Sequence, residues 1–514
     1  MKILKWCTIL FVLGLGFALA CQATKAPDAD ADVREPAVAG KFYPDSASKL
    51  KLAIEKFLQD AIPAKTKGAV AIIVPHAGYI YSGQICADVF RQVKGERYDV
   101  VVILGTNHTS PGFEKISLYP GTGFRTPLGI APIEREVVSQ LVAADPGDCV
   151  LDKSLHAREH SVEVIVPFVQ VVFPEAKIVP VVVGSPDVGM CTRFGQTLAK
   201  VLKNKRALII ASSDLSHYPA AEDAFAVDSE TLKAITKLDP AVFHSVIQSQ
   251  MGRHIPKLHT CACGEAPIMA AMSAAKSMGA TRGVVVSYAN SGDVSIGDRS
   301  EVVGYGAVVL TKDGSEKSTG NSDAPSPAPL AGSLTSSDKK ALLIFARETL
   351  SRIFSTDTVP LARGFSANLQ QPRGVFVTLK KKNELRGCIG RIIGDEPLGK
   401  LTGAMALQAA FNDGRFSPVA ADELREIEIE ISVLTPLREV SGAGQIVAGR
   451  DGVVLAKEGH SAVFLPQVAT EQKWNREELL DNLCRKAGLP AGCWKQGARL
   501  SIFQAVVFSE ADFK

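Results

Sequence analysis

Apolar, β-branched runs punctuate the first half of the chain at Ala69–Val74, Val100–Leu104, Lys177–Val183, Ala207–Ala211 and Gly283–Tyr288. Between them, apolar positions recur at helical spacing over Ala47–Leu58, Gly83–Gln92, Ser161–Val172 and Arg193–Leu202. Continuous apolar strands alternating with helices suit a sheet covered on both faces, so the pattern predicts an α/β domain with a mostly parallel sheet. The run Val302–Leu310 supplies an edge or return strand to close it.

Periodicity vanishes between Lys312 and Ser337, where Pro, Ser and Gly dominate. Such a stretch cannot bury enough apolar surface to fold, and 312–337 reads as a disordered interdomain linker. A flexible chain of about 25 residues has a root-mean-square span of roughly 25–30 Å, which leaves contact between the flanking domains open. Beyond it the pattern predicts a helix over Asp338–Phe354 and a hairpin of Gly374–Lys380 with Leu385–Gly390. Further strands are expected at Ile427–Leu434 and Ser461–Leu465, and a helix at Arg476–Ala487. A smaller α+β domain over 338–514 therefore follows a larger one over 34–311.

The amino terminus breaks the globular pattern. Lys2 and Lys5 precede an apolar stretch, Trp6–Ala20, that is short for a membrane span and ends in the small-x-small triplet Ala18-Leu19-Ala20. This predicts a signal peptide over 1–20, hence an exported chain, periplasmic or on the outer face of a membrane. Cys21 follows directly, where bacterial lipoproteins carry their lipid. It is expected either to anchor the chain to the membrane through a polar tether, 21–33, or to begin a simply secreted protein.

Charge narrows the partners. The formal net charge is +3, from 57 basic and 54 acidic residues, with no long run of either sign, which argues against a nucleic-acid surface. The ten cysteines lack the dense spacing of a disulfide scaffold. Most read as small buried apolar residues, while Cys484 and Cys493 are candidates to pair.

Candidate chemistry collects where strands end: Val74-Pro75-His76, Gly105-Thr106-Asn107-His108, and Ser212-Ser213-Asp214-Leu215-Ser216-His217. In open α/β sheets, ligands bind beyond the carboxyl ends of the strands, so these imidazoles can meet in one crevice. Histidine is the commonest metal ligand, and the pattern predicts a metal site. A thiolate from Cys261-Ala262-Cys263-Gly264-Glu265, before a helix over Pro267–Ala275, can complete it, and the pattern alone does not choose between the thiols. A competing pattern is His156-Ala157-Arg158-Glu159-His160, which matches the H-x-x-E-H signature of a zinc hydrolase. Farther on, Arg386, Cys388 and Arg415 stand in sharp motifs without an assigned task. Cys388 lacks a neighbouring His–Asp pattern and reads as structural.

Residues 34–310 resemble the Memo family, AmmeMemoRadiSam system protein B, through Arg34-Glu35-Pro36-Ala37-Val38-Ala39-Gly40-Lys41-Phe42-Tyr43-Pro44, Pro75-His76-Ala77-Gly78-Tyr79, Glu159-His160-Ser161-Val162-Glu163 and Ser212–Tyr218. Residues 338–514 resemble the AMMECR family, system protein A, through Leu385–Gly390, Asp413-Gly414-Arg415-Phe416-Ser417-Pro418 and Phe464–Val468. The first resemblance implies a fold similar to class III extradiol dioxygenases, with a metal held by His76, His108 and Cys263 and with His217 as acid/base. Iron or copper is then expected, with zinc admissible for the same donors. His160, Glu163 and Asp214 are expected behind these ligands, steering imidazoles. The implied activity is oxidative chemistry on a small molecule. The alternative is a non-catalytic metal-binding or interaction protein. The family name also implies a radical-SAM partner, which an exported chain would not readily meet.

Overall fold

The computed structural model describes residues 32–312 and 333–513. The expected signal peptide, Cys21, all of the tether but its last two residues, and 313–332 of the expected linker lie outside the described residues.

Eleven strands build the first domain: β1 (Val33–Arg34), β2 (Ala69–Val74), β3 (Val100–Thr106), β4 (Ile116–Leu118), β5 (Gly123–Thr126), β6 (Gly129–Pro132), β7 (Cys149–Leu151), β8 (Lys177–Val183), β9 (Ala207–Ser212), β10 (Arg282–Asn290) and β11 (Gly304–Thr311). Eight of them form one sheet in the order β10-β11-β2-β9-β3-β8-β4-β7. The central four, β2, β9, β3 and β8, are parallel. β10 and β11 join antiparallel at one side, and β4 pairs antiparallel with β8 at the other. Every residue of β2, β3 and β9 is buried, which is why their sequences run apolar without alternation. Strands β1, β5 and β6 make a small separate sheet.

Helices Tyr79–Val93 and Glu265–Ser277 cover the sheet. Glu265–Ser277 packs so closely on Val188–Val201 that a Cβ at Gly195 would sit 2.5 Å from the Ala270 carbonyl oxygen. The single helix expected over Ser161–Val172 is instead two, His160–Glu163 and Val166–Val172. Pro167 lacks an N–H and sits in the first turn of the second piece, where none is needed. Helices Ala221–Ile235 and Pro240–Met251 were not anticipated from the pattern.

The second domain contains β12 (Val375–Lys381), β13 (Glu384–Arg391), β14 (Ile427–Leu434), β15 (Arg438–Val440), β16 (Gly452–Lys457), β17 (His460–Phe464), β18 (Arg499–Phe503) and β19 (Ala505–Ser509). Two antiparallel sheets result, β13-β12-β14-β19 and β15-β18-β16-β17. The β12–β13 hairpin turns through Lys382 and Asn383, both left-handed with φ of 53° and 65°. Helix Ser336–Thr356 begins inside the stretch read as linker. The Thr335 hydroxyl accepts from the Asp338 N–H and the Asp338 carboxylate accepts from the Thr335 N–H, which closes a capping box. Cys484 and Cys493 form a disulfide with Cα atoms 6.0 Å apart. Among the described residues no helix is long and apolar enough to cross a membrane.

The domains are in contact. Arg363 reaches the fully buried Asp88 at 2.6 Å and 3.1 Å, Lys49 pairs with Asp357 at 2.8 Å, and Arg352 pairs with Asp60. Val294 of the first domain is buried in the core of the second.

Candidate metal centre

His76 leaves the end of β2 on a backbone clamped by a neighbouring loop: the N–H groups of His76 and Ala77 donate to Asp214 Oδ1 at 2.8 Å and 3.2 Å. Its Nδ1 lies 2.9 Å from Ser212 Oγ, and that hydroxyl donates its one proton to the Ser161 carbonyl at 2.6 Å. Nδ1 must therefore carry the ring proton, and Nε2 presents a lone pair.

His108, just past the end of β3, is fixed the same way by a carboxylate. Glu159 accepts from His108 Nδ1 at 2.9 Å, from the His108 N–H at 2.7 Å and from the Ser161 N–H at 2.8 Å. Burial works to raise the Glu159 carboxyl, but these donors outweigh it and hold it down to about 2. An anion on Nδ1–H again leaves Nε2 as a lone pair.

Burial and neighbouring imidazoles lower the pKa of His76, and bring His160 down to about 4 and His217 down to about 4, so these rings are neutral at pH 7. The His76 and His108 ring centres lie 5.2 Å apart, and His160 stacks on His108 at 4.5 Å. Ligand atoms converge in two overlapping trios, each within 4.8 Å: His76, His108 and His160; and His76, Asp214 and Cys263. His76 belongs to both, so the expected set of His76, His108 and Cys263 is spread across the pair. Cys263 Sγ is 3.3 Å from His76 Nε2. Burial and Asp214 push the thiol pKa up. Cys261 turns away, its sulfur 3.6 Å from that of Met251.

His217 lines the same cleft, a cavity of about 610 Å³ that also touches Phe42, Tyr81, Tyr218 and Tyr305. Its Nε2 is buried without a hydrogen-bond partner among the described residues. Tyr218, part of the Ser212–Tyr218 motif but given no role from sequence, holds a left-handed backbone at φ 73° beside it and is 45% exposed. Non-glycine strain of this kind collects at functional sites.

Three expected roles are corrected. Asp214 holds backbone rather than an imidazole: its Oδ1 accepts from the N–H groups of His76 and Ala77, and its other oxygen lies 4.0 Å from His76 Nε2. Glu163 steers no imidazole. It pairs with Arg34 and accepts from Tyr43 Oη at 2.5 Å and from the Ala37 and Val38 N–H groups at 2.9 Å and 3.1 Å. Its task is to pin the segment that carries Phe42, whose ring lies 4.8 Å from that of His160. The zinc-hydrolase pattern is not assembled. His156 ends up on helix Ser154–Ala157 and His160 on the next helix, with Glu159 committed to His108. His156 Nε2 faces Ser117 Oγ at 3.2 Å, and His156 belongs to neither trio.

The sequence profile of the family described as Memo-like protein matches residues 34–309, more than half of the chain. The chain belongs to the Memo-like protein family. A second profile, AMMECR1, matches residues 343–508. A MEMO1 family protein of Aquifex aeolicus is 39% identical over 278 residues, 53% of this chain and 97% of the relative. One from Methanosarcina acetivorans is 37% identical over 54% of this chain and 99% of its own length. The crystal structure of an uncharacterized protein from Pyrococcus horikoshii is similar at 34% identity and a TM-score of 0.33, over 34% of this chain and 93% of its own.

Outside the Memo-like domain, the AMMECR1 motifs hold one another. Arg386 forks onto Glu423 at 2.8 Å and 3.1 Å and reaches the Ser417 carbonyl. Arg415 grips Asp413, whose carboxylate accepts from the Cys388 N–H at 2.8 Å, and the Thr378 hydroxyl donates to Cys388 Sγ at 3.2 Å. These residues tie β12 and β13 to the loop that follows helix Leu398–Phe411.

Proposed function

We propose that the protein is an exported Memo-like metal protein whose first domain holds iron or copper through His76, His108 and Cys263 and carries out oxidative chemistry on a small phenol-like molecule. The observation that carries the reading is the pair of imidazoles whose Nδ1 protons are spent on Ser212 and Glu159, which turns two Nε2 lone pairs toward the cleft. Two nitrogens and a thiol beside one of them are a donor set for a soft or borderline ion, zinc included. Such an ion, when bound, would supply Lewis-acid chemistry and, as iron or copper, redox chemistry as well. The chain's own contribution is positioning and proton transfer. Phe42, Tyr81 and Tyr218 offer aromatic surfaces to a planar ligand. The neutral, unpartnered Nε2 of His217 is suited to take the proton of a hydroxyl placed in the cleft. The kinship to class III extradiol dioxygenases belongs to this proposal.

Export fits the Cys484–Cys493 bridge, since disulfides persist in oxidising compartments. Anchoring through Cys21 would add a membrane contact, and a small substrate or a protein partner is a better fit there than a cytoplasmic radical-SAM protein. Elemental analysis of anaerobically purified protein tests the centre: near-stoichiometric iron or copper is expected in wild type and a loss in His76→Ala. Equal metal content in the two would end the proposal. A second reading, metal binding without turnover, is favoured by a thiol standing where the dioxygenases carry a carboxylate. Oxygen uptake by iron-loaded protein across a series of catechols decides between them, since any turnover that His217→Ala abolishes excludes the inert form.

A further inference from the structure

Residues 291–303, between β10 and β11, form a wall with a domain on each side. Ile296, Gly297 and Asp298 line the metal cleft on one side. On the other they line a separate cavity of about 740 Å³, closed by Gly390, Arg391, Met405 and Gln408 of the AMMECR1 domain. The wall turns sharply at Gly297, whose N–H donates to the Val294 carbonyl at 3.0 Å, and any Cβ there would overlap the Ser291 carbonyl.

The first domain alone does not hold this wall. Val294 is 2% exposed and lies in the second domain's core, where it bridges to Leu361. The Ala362 N–H donates to the Asp293 carbonyl at 3.3 Å. Lys400, buried on helix Leu398–Phe411 and paired with Glu396, donates from Nζ to the Gly297 carbonyl at 2.9 Å. Ser295 packs against Gly403 so tightly that a Cβ on Gly403 would overlap its hydroxyl and fall 2.7 Å from Phe345. The far end of the wall bridges back to the candidate acid/base residue, Val303 pairing with His217.

We propose that the AMMECR1 domain is part of the ligand site of the Memo-like domain: it holds residues 293–298 as a shared wall that shields His217 and sets which molecules reach the imidazoles. The proposal rests on the cleft being a ligand site, and not on the metal. Lys400 and Gly403 are positioning residues that act through this wall.

The test is carbethoxylation of histidines by diethyl pyrocarbonate in the full-length protein after dialysis against chelator, with rates read residue by residue by mass spectrometry. The reagent attacks neutral imidazoles and needs no bound ion, so its result stands apart from the fate of the metal reading. In Lys400→Met, labelling of His217 should accelerate on the order of fivefold, because a buried restraint on the wall is gone, while His156, buried in the same domain outside the cleft, labels as in wild type. Lys400→Arg, which keeps a cationic donor, should return His217 toward the wild-type rate, whereas a merely global loss of stability would raise both histidines together. Gly403→Ala, which displaces Ser295 from the opposite side, should accelerate His217 as well and serves if Lys400→Met does not fold. Unchanged His217 labelling in the folded variants, or a parallel rise at His156, overturns the proposal.

Discussion

At the scale of the residue, adjacent acidic groups of one motif do unlike work. Glu159 is an anion spent on His108, and its removal should be felt at the centre first. In Glu159→Gln the amide no longer fixes the His108 tautomer, so affinity for Co(II), used as a spectroscopic probe, should fall about 10–100-fold with the fold intact. A titration giving the wild-type affinity would show that His108 does not bind the ion. Glu163, nearly fully buried against Arg34, is a stability residue. Glu163→Gln should lower stability by about 3 kcal/mol in urea unfolding, since it leaves the Arg34 charge uncompensated. Asp228 supplies a pH signature away from the candidate ligands. Burial pushes its carboxyl up to about 7 although Ser216 and Tyr288 donate to it. Between its ordinary value near 3.8 and 7, the folded state holds a proton that the unfolded state has lost. Stability should therefore be full at the acid end of that window and fall as pH rises through it, by a few kcal/mol at about 1.4 per unit. Asp228→Asn should flatten the trend. Equal slopes for wild type and variant between pH 5 and pH 8 would refute the assignment.

At the scale of the element, legibility followed burial. β2, β3 and β9 were readable because both their faces are covered, so their apolar runs have one interpretation. His76, His108 and His217 were readable as candidates because strand ends in such a sheet point at one crevice. The helix Ser161–Val172 was misread because its apolar spacing continues across a break that only Pro167 announces. Glu159 caps the first piece and turns to His108, while Glu163 at its end turns to Arg34, a distinction that spacing along a helix cannot express. The strands β5 and β6, four residues each, fall below any window in which period can be counted. Close approach was equally hidden. Gly195 reads as an ordinary helical glycine until the Glu265–Ser277 helix is seen lying on it. Gly195→Val should cost about 1–3 kcal/mol by overpacking, read as a lower thermal midpoint, and an unchanged midpoint would mean the two helices separate freely.

At the scale of the whole molecule, the linker composition said nothing about docking, because a flexible tether of that length is compatible with contact or separation. The structure places charge inside the contact. Asp88 has no exposed surface, and Arg363 from the other domain reaches both its oxygens while also donating to the Asp60 carbonyl at 2.6 Å. A buried carboxylate stripped of such a partner costs several kcal/mol, more than the exposed Lys49–Asp357 pair at the rim contributes. Arg363→Met should therefore do more than weaken one domain. It should penalise the docked state specifically, so that calorimetry resolves two unfolding transitions where the wild type couples them, with the first domain melting earlier. Lys49→Met should leave the wild-type trace. If Arg363→Met melts in the same single transition as wild type, the domains are held by the burial of Val294 and its neighbours rather than by this ion pair, and substitution of Val294 becomes the change that uncouples them.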